Sequence, residues 1–67
     1  MKVYRVESSG RTYATLEAAR ADLKGCGLAV ESDRFRSDRG KGPWFHTIFD
    51  DYFGGPVDRL IVTESGQ

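Results

Sequence analysis

The chain has a single histidine, His46, and a single cysteine, Cys26, so any acid–base or thiol chemistry would have to start from one of them. If residues 43–53 form a helix, His46 and Asp50 lie four positions apart on one face, where a carboxylate can orient an imidazole as a general base. No serine stands in a nucleophile-elbow motif, and Cys26 lies far away in sequence. The pattern therefore predicts a surface histidine beside an acid, in a protein that is not an enzyme.

A second candidate is a basic segment in the middle of the chain, where four cations fall within eight residues. Basic side chains interleaved with aromatic ones can follow a phosphate backbone while stacking bases. Two carboxylates, Asp33 and Asp38, interrupt the segment and lower its local charge. Three interpretations stay open: a solvated strand and loop, a contact with nucleic acid, or a contact with an anionic protein surface. The candidate partner-binding residues here are Arg34, Phe35, Arg36, Arg39, Lys41 and Trp44.

A third candidate is the acidic pair Asp50 and Asp51, which lies among large aromatic residues that include Tyr52. So small a core cannot bury every ring of this region, and tyrosine, tryptophan and arginine are favoured at the centres of protein interfaces. An exposed aromatic edge beside two carboxylates would suit a basic partner. The alternative is that most of these rings simply form the core. We take Asp50, Asp51 and Tyr52 as further candidate partner-binding residues.

Composition limits the class of protein. The chain of 67 residues predicts one small domain, spanning 1–67, and its net charge of zero argues against a simple polyanion binder or an acidic nucleic-acid mimic. One histidine and one cysteine cannot supply the four ligands of a structural zinc site, so we expect no metal and no cofactor. The absence of a long apolar run and of an export signal predicts no membrane contact, and with a lone thiol it predicts a cytoplasmic location.

The first 25 residues have the clearest pattern of secondary structure. Residues 2–7 alternate as a strand, Ser8-Ser9-Gly10 has the composition of a turn, and residues 11–14 return as a second strand. Thr15 is a suitable N-cap for a helix over residues 16–24, whose apolar stripe is Leu16, Ala19 and Leu23. Glycines at positions 25 and 27 offer a left-handed stop. Cys26 continues the apolar stripe and is predicted to be a buried thiol.

The second half of the chain is less consistent. A third β element is predicted from residue 28 to about residue 37, with a bulge or two used faces to explain the parity of Phe35. Paired apolar residues give 43–53 the period of a helix, whereas their type favours a strand; we favour the helix and keep the strand open. Residues 57–63 predict a final strand, with 64–67 fraying. The predicted fold class is therefore α+β: an antiparallel sheet of about four to five strands, in the order β-β-α-β-(α or β)-β, with helix 16–24 packed on one face.

No motif names a family, but the short chain, the hairpin followed by a helix and the lack of catalytic residues resemble small phage and mobile-element inhibitors of the anti-CRISPR type. The resemblance lies in size and architecture, and it implies an inhibitor that sterically blocks a host protein or a CRISPR–Cas ribonucleoprotein complex. We therefore expect a protein-interaction module, with self-association as a homodimer also open. The alternative is a small nucleic-acid-binding or regulatory domain that uses the segment from Arg34 to Lys41.

Overall fold

A computed structural model describes residues 1–64 of the chain. The elements are β1 (Lys2–Val6), β2 (Thr12–Tyr13), α1 (Leu16–Lys24), β3 (Leu28–Val30), β4 (Phe35–Arg36), a 3₁₀ turn (Asp38–Gly40), β5 (Trp44–Asp50) and β6 (Pro56–Glu64). The α-helix packs on an antiparallel sheet, in which the strand order is β2-β1-β6-β5-β3 and the short strand β4 also pairs with β5. The predicted α+β class is thus confirmed.

The N-terminal hairpin and helix form as the sequence predicts. Gly10 takes a positive φ of 79° in the turn between β1 and β2, a conformation that favours glycine. The Thr15 hydroxyl accepts a hydrogen bond of 3.1 Å from the Ala18 amide, which satisfies one of the free donors of the first helical turn. Gly27, with a φ of 76°, supplies the left-handed residue that turns the chain from α1 into β3.

The core lies between α1 and the sheet face that carries the even-numbered residues of β1, β5 and β6. Burial of these side chains holds α1 on the sheet, because removing apolar surface from water is the main favourable term in folding. Tyr4, Tyr13, Leu16, Leu28 and Val30 pack around the edge. The buried cluster consists of Val6, Ala19, Leu23, Ile48 and Leu60.

The favoured helix over residues 43–53 is wrong, because residues 44–50 form strand β5. β5 pairs with β6 on one side and with β3 and β4 on the other, so its β-branched and aromatic residues stand where they pack best. Both faces of the strand carry apolar side chains, which hides the alternation expected of a strand that is buried on one face. The two aspartates do not disrupt it, since Asp50 ends the strand and Asp51 begins the following turn.

The single β element predicted over residues 28–37 is divided into β3 and β4. Val30 pairs with Ile48, whereas Phe35 pairs with Phe45, so the intervening segment bulges out of the ladder by two residues. The bulge places Phe35 on the sheet face opposite Val30, which accounts for its parity.

Cys26 is exposed, so the prediction of a buried thiol is wrong. The helix ends at Lys24, and beyond that residue the 100° rotation that would have carried the apolar stripe to Cys26 no longer applies. At the other end of the chain, Glu64 belongs to β6 and pairs with Lys2. The rest of the segment predicted to fray, 65–67, lies outside the described residues.

Candidate partner-binding surfaces

His46 is buried, so the predicted surface histidine is wrong. Its Nδ1 lies 2.9 Å from the carbonyl oxygen of Glu31, and since a carbonyl only accepts, the imidazole donates this hydrogen bond. Asp50 does not pair with it, because four residues of strand separate them by about 14 Å. The Asp50 Oδ1 instead accepts hydrogen bonds from the amides of Tyr52 and Phe53 at 2.8 and 3.1 Å. His46 thus bridges the bulge between β3 and β4.

A cluster of two arginines and a tryptophan, here called the Arg–Trp cluster (Arg34, Arg36 and Trp44), forms where β4 pairs with β5. Arg36 lies directly opposite Trp44, and side chains of opposed residues point to the same face. The guanidinium carbons of Arg34 and Arg36 lie 4.5 and 5.3 Å from the centre of the indole ring. Both distances are within the range of cation–π attraction, so the ring holds the two guanidiniums at the surface.

The opposite face of the same end of the sheet is also aromatic. Phe35 lies opposite Phe45, with ring centroids 6.1 Å apart. The guanidinium carbon of Arg59 lies 4.5 Å from the centre of the Phe45 ring, and Ile61 is buried beside it. This end of the domain therefore presents rings and arginines on both faces.

The loop between β4 and β5 positions the Arg–Trp cluster. The Arg36 Nε donates to the carbonyl of Gly42 at 2.7 Å, which fixes the side chain against Trp44. Gly42 approaches Ser37 so closely that an added Cβ would lie 2.6 Å from the Ser37 hydroxyl oxygen. Arg39 adopts a left-handed φ of 56°, which is costly for a residue other than glycine. Together with Lys41 it lies exposed in this loop, and neither cation lies over the indole ring.

A second surface, here called the aromatic turn, is formed by residues 51–55 between β5 and β6. Tyr52 and Phe53 are 87% and 82% exposed, and their rings meet edge to face with centroids 4.8 Å apart. The turn is fixed by Asp50, whose carboxylate accepts two amides and whose carbonyl accepts the Gly54 amide at 2.6 Å. The Asp51 amide donates to the Gly27 carbonyl at 2.9 Å, so Asp51 contributes its backbone to this geometry and leaves its carboxylate exposed.

The predicted site residues therefore fall into two groups. Arg34, Arg36 and Trp44 come together, with Phe35 on the reverse face and the loop of Arg39 and Lys41 beside them. Asp50, Asp51 and Tyr52 lie at the other end of β5, which at 3.4 Å per residue is about 20 Å away. Sequence reasoning missed Arg59, Phe45 and Phe53 as members of these surfaces. A strand over residues 44–50 would have predicted that Phe45 lies on the other face of the sheet from the indole and that Phe53 lies in the turn.

Among residues 1–64, no helix is long and apolar enough to cross a membrane. Within the same residues, no group of three or more histidine, cysteine or carboxylate side chains could hold a metal ion. The sequence matches no protein-family profile and no curated protein, and the fold matches no solved structure.

Proposed function

We propose that this chain is a non-catalytic protein-interaction module that binds a partner protein, or the protein part of a ribonucleoprotein, through the Arg–Trp cluster. The observation that carries the proposal is Trp44, which is 36% exposed with two guanidiniums on its ring. Tryptophan and arginine are the residues most enriched at the energetic centres of interfaces. Since strand pairing fixes the Trp44 backbone and two guanidiniums lie on its ring, little side-chain freedom would be lost on binding.

The partner surface that suits the cluster is acidic. Arg34 makes no ion pair within the described residues, and Arg36 uses only its Nε, toward Gly42. Their remaining N–H groups are free to bind carboxylates in pairs, as guanidinium geometry allows. An inhibitor that acts as small phage proteins of the anti-CRISPR type do would use such a contact to occupy the surface of a host protein or a CRISPR–Cas complex.

The experiment is an affinity pull-down from host extract, with and without phage infection, using matched variants as bait. Trp44→Thr removes the ring but keeps a residue that suits a strand, and Arg34→Gln removes one guanidinium outside any strand. Loss of a central interface residue costs about 2 kcal/mol or more, so the partner should bind at least about 30-fold more weakly. Arg5→Gln is the matched control, because Arg5 is exposed on β1 and shares the face of Phe45, opposite that of the Arg–Trp cluster.

The competing surface is tested in the same experiment. The double variant Tyr52→Ser/Phe53→Ser removes the two exposed rings of the aromatic turn without touching the core. If this variant loses a partner that Trp44→Thr retains, the Arg–Trp cluster is not the binding surface. If no bait retains a protein, the proposed function itself fails.

The alternative function is nucleic-acid binding, which the stacking of two arginines on a partly exposed indole supports. Bases can stack on such rings while guanidiniums contact phosphates. A gel shift with single-stranded RNA and DNA at two salt concentrations separates the two functions. Binding that weakens steeply with salt favours nucleic acid, because each phosphate contact releases a counterion. The absence of any shift at low salt excludes this alternative.

A further inference from the structure

A cleft between α1 and the outer edge of β3 forms a third surface, which adjoins the aromatic turn at Asp51 and shares no residue with the Arg–Trp cluster. It encloses about 370 Å³, and we call it the β3 groove. One wall is the helix face with Arg20 and Lys24, which are four positions apart. The floor is the edge strand itself. The residues that line the groove are Arg20, Lys24, Leu28, Ala29, Val30 and Asp51.

The hydrogen bonds of β3 show which of its backbone groups face this groove. The Gly27 carbonyl accepts from Asp51, the Glu31 amide donates to Thr47 at 2.8 Å, and Ala29 pairs with Phe49 between them. In an antiparallel strand, alternate residues direct both backbone groups to the same side. Positions 27, 29 and 31 therefore face β5, and Leu28 and Val30 face the groove.

These outward groups are almost without partners. The Val30 carbonyl accepts a long bond of 3.4 Å from the Arg20 guanidinium. The Val30 amide, the Leu28 amide and the Leu28 carbonyl have no hydrogen-bond partner within residues 1–64. An edge of this kind is a template for pairing with another extended chain.

The charges of the groove indicate which kind of extended peptide it would bind. Arg20 and Lys24 make no ion pair with any other residue of 1–64, and they line the wall over the edge strand. Asp51 lies at the Leu28 end, where its amide contacts Gly27. Two cations against one carboxylate leave a positive groove, most positive near Arg20 and Val30 and thus complementary to an acidic side chain there.

We propose that the β3 groove binds an extended acidic peptide segment of a partner protein, which adds to the sheet as a strand beside β3. Main-chain pairing with Leu28 and Val30 supplies the direction and spacing of the peptide, and its acidic side chain lies against Arg20 and Lys24. A three-residue edge offers few bonds, so the dissociation constant of a short peptide is expected to be on the order of 0.1 mM.

The test is an NMR titration of the ¹⁵N-labelled full chain with a seven-residue peptide of alternating valine and glutamate. The expected result is saturable shifts of the Leu28 and Val30 amides and slower hydrogen exchange at both. The peptide with lysine in place of glutamate should bind about tenfold or more weakly, because its positive charges are repelled by the positive groove. Equal binding of the two peptides, or shifts confined to the aromatic turn or to the Arg–Trp cluster, would overturn the proposal.

Variants separate this groove from the rest of the surface. The double variant Arg20→Glu/Lys24→Glu should weaken the glutamate peptide about tenfold or more, whereas Arg5→Glu makes the same kind of charge change elsewhere and should not. Circular dichroism checks that each variant is folded. Trp44→Thr should bind the peptide as the wild type does, so loss of the proposed function leaves this result unaffected. The exchange of the Leu28 and Val30 amides is also measured without peptide at rising protein concentration. If exchange slows with concentration, a second copy of the chain occupies the groove and the proposal is refuted.

Discussion

The hydrogen bond between His46 and Glu31 leads to a quantitative prediction for stability. His46→Leu replaces the imidazole with an apolar side chain of similar size and removes the donor that lies 2.9 Å from the Glu31 carbonyl oxygen. A part-buried carbonyl left without a partner costs about 1–2 kcal/mol. A domain of this size has about 3–10 kcal/mol of stability in total. The substitution should therefore remove a substantial share of the free energy of unfolding.

The measurement is urea unfolding followed by tryptophan fluorescence and circular dichroism. With a slope of about 1 kcal/mol per molar urea for a chain of this length, the midpoint of His46→Leu should fall by about 1–2 M. His46→Asn is the informative comparison, because the Nδ2 of asparagine is the same number of bonds from the backbone as the Nδ1 of histidine. It should retain more stability than His46→Gln, whose amide reaches one bond further.

Two results would refute this assignment. If His46→Leu unfolds within about 0.5 kcal/mol of the wild type, the bond to Glu31 does not stabilise the bulge. A long-range ¹H–¹⁵N spectrum in which Nδ1 of His46 carries no proton would show that the imidazole is not the donor. Either result would leave the bulge between β3 and β4 to be held by strand pairing alone.

Three further predictions test the rest of the fold. Leu60→Ala empties a fully buried position and should cost about 2–5 kcal/mol, measured as a lower thermal midpoint. Hydrogen bonds from Tyr13 and Arg11 lower the pKa of Asp22 in the folded protein. The ionised carboxylate therefore contributes to folding stability above about pH 4, and this contribution is lost as the pH falls through the lowered pKa. Asp22→Asn should make the free energy of unfolding depend less on pH in this acid range. Arg39→Gly should raise stability by up to about 1 kcal/mol, because the steric cost removed at a φ of 56° exceeds the extra chain entropy that glycine loses on folding; a less stable variant would contradict the strain argument.

The N-terminal hairpin and helix are predictable because their determinants are local. Gly10 provides a positive φ, Thr15 caps the helix, and the stripe of Leu16, Ala19 and Leu23 repeats with the helical period. Each of these signals acts within a few residues, so no tertiary contact is needed to read it.

The helix predicted over residues 43–53 is wrong because the spacing of these residues favours a helix whereas their type favours a strand. Apolar pairs spaced by polar pairs match a helical face, but they also arise in a strand with both faces used. Trp44 and Ile48 face one side of β5, while Phe45 and Phe49 face the other. The β propensity of these residues was the better guide, since it reflects how they pack within a sheet.

The candidate surfaces could be predicted in composition but not in geometry. More aromatic residues than a small core can bury do emerge at the surface, and Trp44 and Tyr52 are among them. That Arg34 and Arg36 lie on the indole depends on the register between β4 and β5, which the bulge sets. The β3 groove depends on how α1 crosses the edge of the sheet, so only the tertiary structure reveals it.

The exposed rings have an energetic meaning for function. Burying one large aromatic side chain contributes about 1.5–3 kcal/mol, yet Tyr52 and Phe53 remain almost fully exposed in a domain with few buried side chains. Folding therefore leaves this apolar surface unused, while Asp50 spends its carboxylate on fixing the turn that presents it. At the other end of β5, strand pairing fixes the Trp44 backbone, two guanidiniums lie on its ring, and 36% of the residue remains exposed. Surface that is fixed in place but still in contact with water yields its hydrophobic free energy only when a partner covers it, which makes both ends of β5 places where binding energy is available.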